Sequence, residues 1–212
     1  MKLLKIFMLA YLFFNYQSGM SQEISIVTTK LSDQVYMLVG QGGNIGISIG
    51  DDGVFIIDDQ FAKITPKITK AIRALSDKPF MFLVNTHYHG DHTGGNENFV
   101  KQGVKIIAHE NVRKRLIDGE ASENTLPIIT FNDRVNVHMN GETVNVYHVE
   151  HAHTEGDALI YFSKSNVLHT GDTYFNGRYP YIDLNSGGSV NGYIKAVKMG
   201  LSLINENTKI RF

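Results

Sequence analysis

Short runs of β-branched and apolar residues, separated by turn-forming residues, dominate the first part of the chain. Strands are expected at 25–30, 35–40, 44–50 and 54–58, because Ser-Asp, Gly-Gly and Asp-Asp-Gly turns lie between them. Their close spacing predicts an antiparallel meander. After them, apolar residues recur with helical spacing and lysines lie between them, which predicts an amphipathic helix over 64–75.

The rest of the chain alternates between groups of strands and single helices. Helices are expected at 110–116 and 190–203, and the polar stretch 118–127 is expected to be a loop. Further strands are expected at 80–84, 105–108, 134–138, 142–148, 158–162, 166–169 and from 208. Grouped strands with helices between the groups favour a sheet sandwich flanked by helices.

The first 21 residues have the order of a secretory signal peptide. Lys2 and Lys5 precede the apolar run Ile6 to Phe14. A polar stretch follows, and it contains small residues just before the expected cleavage point near Ser21. The alternative is an uncleaved membrane anchor, but the run is about nine residues and a spanning helix needs roughly 20. We therefore expect an exported protein, periplasmic or secreted, with no stable membrane anchor after cleavage and one domain over 22–212.

Composition excludes several classes of site. The 212 residues carry a formal net charge of −1, which argues against a nucleic-acid binder. The absence of cysteine excludes disulfides, thiolate-bound zinc, iron–sulfur clusters and a thiol nucleophile. No G-x-S-x-G sequence occurs, so a serine hydrolase of that type is not supported. What remains to be explained is the presence of nine histidines.

Four metal-ligand side chains lie within six residues, directly after the apolar strand expected to end at Val84. They are His87, His89, Asp91 and His92. In extended backbone the side chains at i and i+2 share a face, so His87 and His89 can converge on one ion. Asp91 and His92 lie beyond the turn at Gly90 and can reach a second ion. Imidazole and carboxylate suit zinc and its neighbours, and the alternative is a histidine-rich surface loop.

These residues resemble the metallo-β-lactamase superfamily, whose hallmark is H-x-H-x-D-H at the end of a strand. The resemblance covers most of the mature chain. It includes His153 in His-Thr-Glu-Gly-Asp, Asp172 in Thr-Gly-Asp, and a strand ending in Asp58. It implies an α+β fold in which two mixed or antiparallel sheets form an αββα sandwich with the helices outside.

The resemblance also implies a division of the ligands between two ions. His87, His89 and His153 are similar to the first site, Asp91 and His92 to the second, and Asp172 to the carboxylate that bridges them. Zinc is the expected metal, with iron and manganese as alternatives. Two ions lower the pKa of a bound water, and the resulting hydroxide attacks a carbonyl. Asp91 is expected to orient that hydroxide and act as a catalytic residue, and Asp58 is a candidate partner for a ligand histidine.

The chain departs from the superfamily pattern at its end. Members normally supply another histidine in a P-G-H-G-like turn, and the residues up to Phe212 contain no such turn. The expectation is therefore a domain that is incomplete at its C-terminus, with an ordinary first site and a weakened second site.

The leading functional hypothesis is a metal-dependent hydrolase of a small carbonyl substrate: a β-lactam, lactone, ester or thioester. Because Asp172 stands where one β-lactamase group has cysteine, the ligand set is more similar to hydroxyacylglutathione hydrolases and lactonases. The alternatives are an iron-dependent, sulfur dioxygenase-like oxidoreductase and a non-catalytic metal-binding remnant. The residues do not predict the oligomeric state.

Several other residues near these motifs have structural interpretations. His151 shares a face with His153 but is expected to be a neighbour of the site or exposed. His109, His138, His148 and His169 are expected to be surface or internally satisfied side chains, and Tyr88 is expected to pack beside the site. The glycine-rich residues 176–189 predict a loop at its mouth, where Arg178 or Tyr179 meets substrate or simply packs.

Overall fold

A computed structural model describes residues 24–211, so the predicted signal peptide and Phe212 lie outside the described residues. One sheet takes its strands in chain order, with antiparallel pairing up to the fourth strand and parallel pairing beyond it. Its strands are β1 (Val27–Lys30), β2 (Val35–Val39), β3 (Ile45–Gly50), β4 (Gly53–Ile57), β5 (Phe80–Val84), β6 (Lys105–His109) and β7 (Ile129–Phe131).

The second sheet is antiparallel except at one edge. Its strands are β8 (Arg134–Met139), β9 (Glu142–His148), β10 (Ala158–Phe162), β11 (Val167–His169) and β12 (Lys209–Arg211). They lie in the order β12-β11-β10-β9-β8, and only β11 and β12 run parallel.

Five helices connect these strands in the described residues: α1 (Thr65–Arg73), α2 (Gly90–Thr93), α3 (Asn96–Val100), α4 (Glu110–Asp118) and α5 (Val190–Leu203). Across residues 24–211, no helix has the length and apolar character needed to cross a membrane.

Three apolar clusters define the layers. The central cluster packs the inner faces of the two sheets together, and Phe55 meets Phe162 edge-on with ring centroids 6.2 Å apart. A second cluster packs Ile64, Ile68 and Ile72 against the outer face of the first sheet. A third packs Ala196 of α5 against the outer face of the second sheet. The predicted αββα sandwich of two sheets flanked by helices is therefore confirmed.

The hydrophobic pattern locates most elements to within two residues. Strands β5, β9 and β10 and helix α5 have the predicted bounds. The prediction misses β7, which is three residues long and follows a largely exposed Ile128. It also misses α2 and α3, because helices of four and five residues are too short to show a helical period.

Strand direction brings the motif residues to one end of the sandwich. Because β4 and β5 are parallel neighbours, Asp58 and the segment after Val84 leave the sheet at the same edge. A hydrogen bond from the Ala158 amide to the Thr86 carbonyl, 2.9 Å long, joins the start of β10 to that edge. Residues after the carboxyl ends of parallel strands are the usual place for a binding site in such sheets.

Two imidazoles, one buried and one half-buried, stack across the gap between the sheets. The rings of His109, at the end of β6, and His148, at the end of β9, lie 3.6 Å apart and 12° from parallel. Nδ1 of His109 accepts a hydrogen bond from the Asn111 amide and so caps α4. Burial, and then the neighbouring His148, lower the pKa of His109 to about 4. The stack therefore requires a neutral His109.

Acid is expected to destabilise the fold through this histidine. An unfolded His109 takes up a proton near pH 6.5, whereas the folded residue does so near pH 4. The contribution of neutral His109 to the free energy of unfolding is up to about 3 kcal/mol above pH 6.5. It falls as the pH is lowered from 6.5 to about 4. In urea titrations of metal-free protein, His109→Asn should flatten this part of the pH dependence, because asparagine also caps helices. An unchanged slope would contradict the assignment.

Candidate metal centre

Three imidazole nitrogens meet at the end of the sandwich. Nδ1 of His89 lies 3.1 Å from Nε2 of His87 and 3.0 Å from Nε2 of His153. His87 and His153 are buried, and His89 is half-buried. We call these three residues the first group. The structure thus brings together the side chains predicted to form the first site.

The outward-facing nitrogens show where the hydrogens of the first group lie. The backbone carbonyl of Tyr181 is 2.8 Å from His153 Nδ1, so this nitrogen carries the hydrogen. The carboxylate of Asp183 is 3.0 Å from His89 Nε2, which donates in the same way. Thr86 gives its hydroxyl hydrogen to Asp58, so its oxygen accepts from His87 Nδ1, 3.1 Å away.

Each neutral imidazole carries a single N–H, so the three nitrogens that face one another hold lone pairs and no hydrogen. No hydrogen bond can join two such atoms, and their close approach is unfavourable without a positive charge between them. Burial and the neighbouring histidines lower the pKa of His87 well below its usual value, so a proton is a poor substitute there. The donor set of the first group therefore fits a cation.

His92 and Asp172 form a second group with the shared residue His87. One ligand atom from each of these residues lies within 4.8 Å of the others. Nδ1 of His92 donates to Asp58 over 2.8 Å, which leaves Nε2 with a lone pair. That Nε2 is buried, forms no hydrogen bond and lies 3.2 Å from Asp172 Oδ1. The second group thus also fits a cation.

The carboxylate of Asp172 reaches both groups. Its Oδ1 faces His92 Nε2, and its Oδ2 lies 3.7 Å from His153 Nε2. It follows β11 on the single helical turn Gly171–Thr173, and its side chain is 20% exposed. This is the geometry that a carboxylate between two ions requires.

Asp58 fixes the positions of His92 and Thr86 through hydrogen bonds to its carboxylate. It is fully buried, and its carboxylate accepts hydrogen bonds of 2.7 and 2.8 Å from the amide and hydroxyl of Thr86, besides the one from His92. Burial disfavours a charged His92, but Asp58 and Asp172 on either side outweigh it and raise the pKa of His92 well above its usual value, so that a proton competes with a cation for Nε2. A positive charge is thus stabilised between the two carboxylates.

Asp91 lies at the border between the second group and solvent. Its Oδ2 is 3.7 Å from His92 Nε2, its side chain is 37% exposed, and it belongs to neither group of three. It lines a cleft of about 410 Å³ together with Asp172, Phe175, Arg178 and the hairpin residues Gln41–Asn44. Both Asp91, the expected catalytic carboxylate, and Asp172, the expected bridging carboxylate, therefore face this cleft.

Sequence comparison gives the family. A family-wide profile described as the metallo-beta-lactamase superfamily matches residues 40–202, which contain every residue of the two groups. The chain belongs to the metallo-beta-lactamase superfamily.

Superfamily relatives with assigned names cover more than one chemistry. The chain is 27% identical over 166 residues to the 2,4-dinitroanisole O-demethylase subunit alpha of Nocardioides sp. (strain JS1661), covering 75% of this chain and 49% of that protein. It is 34% identical over 134 residues to a hydroxyacylglutathione hydrolase of Nitrosococcus oceani, covering 60% and 46%. The chain spans about half the length of the curated relatives it matches.

Solved superfamily structures share the fold. A metallo-beta-lactamase from Pontibacter korlensis aligns with a TM-score of 0.77 at 18% identity, over 88% of this chain and 91% of that one. The metallo-beta-lactamase IND-7 aligns with a TM-score of 0.75 at 17% identity, over 89% of each chain.

The sequence gives no sign that an aspartate, Asp183, is the hydrogen-bond partner of His89. Asp183, which accepts from His89, lies in the 176–189 stretch that was predicted only as a loop at the mouth. Its neighbour Ser186 donates to it over 2.5 Å and is buried. Hydrogen bonding from Ser186, and then from His89, lowers the pKa of Asp183. Only the glycine-rich composition of 176–189 marked the segment, and no local pattern places Asp183 beside His89.

Residues 176–189 divide between two positions. Asn176 and Arg178 line the cleft, as expected of a loop at the mouth. The later part instead packs against the segment that carries His153, since the Asp183 amide donates to the His153 carbonyl and the Glu155 amide donates to the Ser186 carbonyl. The prediction of a mouth loop is therefore right for the first part only.

The remaining histidines stay outside both groups. His151 is about half exposed and lies 2.7 Å from the Gly187 carbonyl. His169 Nε2 donates to the Asn44 carbonyl, and His138 is an exposed residue of β8 beside Thr143. Their internal or surface roles match the predictions made from their positions.

Proposed function

We propose that this chain is a metal-dependent hydrolase that opens a small carbonyl substrate with two divalent ions. The observation that carries the proposal is the set of imidazole lone pairs directed at one another and at both oxygens of Asp172. Among the candidate substrates we place thioesters and lactones first, because Asp172 and His92 replace any thiolate in the ligand set, and several named relatives are hydroxyacylglutathione hydrolases. Export by the 1–21 segment is part of the same proposal.

In this proposal His87, His89 and His153 hold the first ion, His92 and Asp91 hold the second, and Asp172 lies between them. Zinc suits a site of imidazoles and carboxylates without thiolate. Such ions lower the pKa of water and polarise a carbonyl oxygen. We propose that the second site is the weaker one, since Asp91 is partly exposed while His87 and His153 are buried.

The protein's own side chains supply position and proton handling. Asp91 faces the cleft, where its carboxylate accepts a hydrogen bond from the attacking water and fixes the direction of attack. It is also placed to pass that proton to the leaving group, as a general acid–base residue does. Asp58 and Asp183 keep the hydrogens of His92 and His89 on their outward nitrogens, so that the inward lone pairs stay available.

The glycine hairpin, residues 40–44, covers the second group. The side chain of Gln60 holds it, accepting from the Gln41 amide over 3.1 Å and donating to the Gly43 carbonyl. A methyl group at Gly43 would lie 2.5 Å from His92 Nε2. The hairpin thus approaches the second group as closely as a glycine backbone allows.

Gly43→Ala is therefore expected to weaken the second site and leave the first intact. Elemental analysis after dialysis should give about one ion fewer per chain than wild type, with a matching loss of hydrolysis. Gly90→Ala is the matched control, since a methyl group there meets nothing within 4 Å. Equal metal loss in both variants would contradict this reading of the hairpin.

The decisive experiment combines metal analysis with a substrate panel. Purified protein is loaded with zinc, iron or manganese and assayed on a thioester, a lactone, a simple ester and nitrocefin. We expect zinc-dependent hydrolysis that chelation abolishes and zinc restores. Tightly held iron with oxygen consumption would instead favour a redox enzyme, and metal binding without turnover on any substrate would favour a non-catalytic remnant.

A further inference from the structure

A line of hydrogen bonds leads away from His89. Beyond Asp183, whose Oδ2 lies 3.0 Å from His89 Nε2, comes Ser186 at 2.5 Å, and beyond Ser186 comes the hydroxyl of Tyr88 at 2.6 Å. Ser186 is 3% exposed, so the middle of the line is shielded from water. Tyr88 precedes His89 in the sequence, and its ring also lies against the His89 ring, with the two centroids 4.7 Å apart. Its hydroxyl reaches His89 through this line, so Tyr88→Phe breaks the line but keeps the ring contact.

Counting hydrogens gives the direction of each bond. The carboxylate of Asp183 can only accept, so His89 and Ser186 both donate to it. Ser186 has one hydroxyl hydrogen and has given it to Asp183, so its oxygen accepts from the Tyr88 hydroxyl. The Asn185 amide adds a third hydrogen bond to the carboxylate, to Oδ1 over 3.1 Å. Every bond therefore points toward Asp183.

We propose that Tyr88 and Ser186 are positioning residues for metal binding, which fix the Asp183 carboxylate so that His89 presents its Nδ1 to the first site. This inference rests on the proposed function. A carboxylate on a ligand histidine fixes the ring and makes it a better donor, and such partners are worth roughly 10–100-fold in metal affinity. Here the carboxylate itself is held by two further side chains.

The Tyr88 end of the line is also linked to the segment that carries His153. The guanidinium of Arg115 lies 5.7 Å from the centre of the Tyr88 ring, and its Nε donates to Glu155 over 2.7 Å. Glu155 follows His153 by two residues, and its amide donates to the Ser186 carbonyl. The position of Ser186 is thus fixed both by Tyr88 and by the segment of His153.

The test measures zinc affinity rather than turnover. Zinc is titrated against a chromophoric chelator in wild type, Tyr88→Phe, Ser186→Ala and the double variant, and the melting temperature of each metal-free protein is recorded. We expect roughly 10-fold weaker binding for Tyr88→Phe and up to about 100-fold for Ser186→Ala. The double variant should be no weaker than Ser186→Ala alone, because both changes break the same line.

Tyr161→Phe is the matched control. Its hydroxyl donates to Asn166 over 3.0 Å on the second sheet, so zinc affinity should not change. The inference is overturned if Tyr88→Phe and Ser186→Ala bind zinc as tightly as wild type, if their losses simply multiply in the double variant, or if affinity falls only in step with metal-free stability. Wild type that binds zinc without hydrolysing the panel would refute the proposed function alone, and wild type that binds no zinc would refute both.

Discussion

Asp172→Asn is expected to lower hydrolytic turnover at least 100-fold. Asparagine keeps the shape of the side chain but removes its negative charge and one of the two oxygens that face His92 and His153. Loss of a residue that only hydrogen-bonds to a metal ligand already lowers metal affinity or activity roughly 10–100-fold. The loss for Asp172, which lies between both groups, should exceed the upper end of that range. Initial rates on the hydrolysed substrate, with metal counts per chain, measure the effect.

Asp77→Asn is the control for this substitution. Asp77 is exposed, follows α1 in the sequence and belongs to neither group. It should retain wild-type rates. Turnover of Asp172→Asn within about threefold of wild type would show that no ion depends on this carboxylate, and the two-ion proposal would then fail.

Two glycines of α5 are expected to respond in opposite directions to the same substitution. Ser189 caps the start of this helix, and its side chain accepts from the Gly192 amide and donates to the His151 carbonyl over 3.0 Å each. A methyl group on Gly192 would overlap that carbonyl oxygen, whereas one on Gly200 would meet Leu168 and Leu159 at 3.7 and 3.8 Å. Only the methyl group at Gly192 is sterically excluded, because the atom that it would overlap belongs to the backbone.

Gly192→Ala should therefore lower the free energy of unfolding by about 2–3 kcal/mol, the usual cost of forced overpacking. Gly200→Ala should raise it by about 0.5–1 kcal/mol, because alanine loses less backbone entropy in a helix. Urea unfolding of the metal-free variants measures both. The close approach at Gly192 would be refuted if the two variants had equal stability.

The local pattern of ligand side chains after an apolar strand predicts part of the two groups, and the resemblance to the superfamily supplies His153 and Asp172. His87, His89 and His92 belong to one local motif, and apolar strands bring His153 and Asp172 to the same edge. The sequence does not predict the contact between His89 and Asp183, which are 94 residues apart and joined only by the folded chain. Nor does it predict the role of Gln60, since an isolated glutamine has no periodic or spacing signal.

Short elements are the other limit. A period of 3.6 residues cannot be seen in the four residues of α2, so the sequence places His92 only beyond a turn at Gly90, whereas it lies on a helix. The pairing of β7 depends on the parallel edge offered by β6, which is a property of the sheet and not of Ile129–Phe131.

The cleft is built from two kinds of structure that can change separately in evolution. The groups beneath it stand on strand ends tied into the core, whereas its walls come from the glycine hairpin and from residues 175–178, which no strand or helix contains. Insertions in either wall would reshape what enters without disturbing the floor. Relatives with this fold can therefore diverge in the molecules they accept while the ligand residues beneath keep their places, and exchanging these two short segments between them is a direct route to new selectivity.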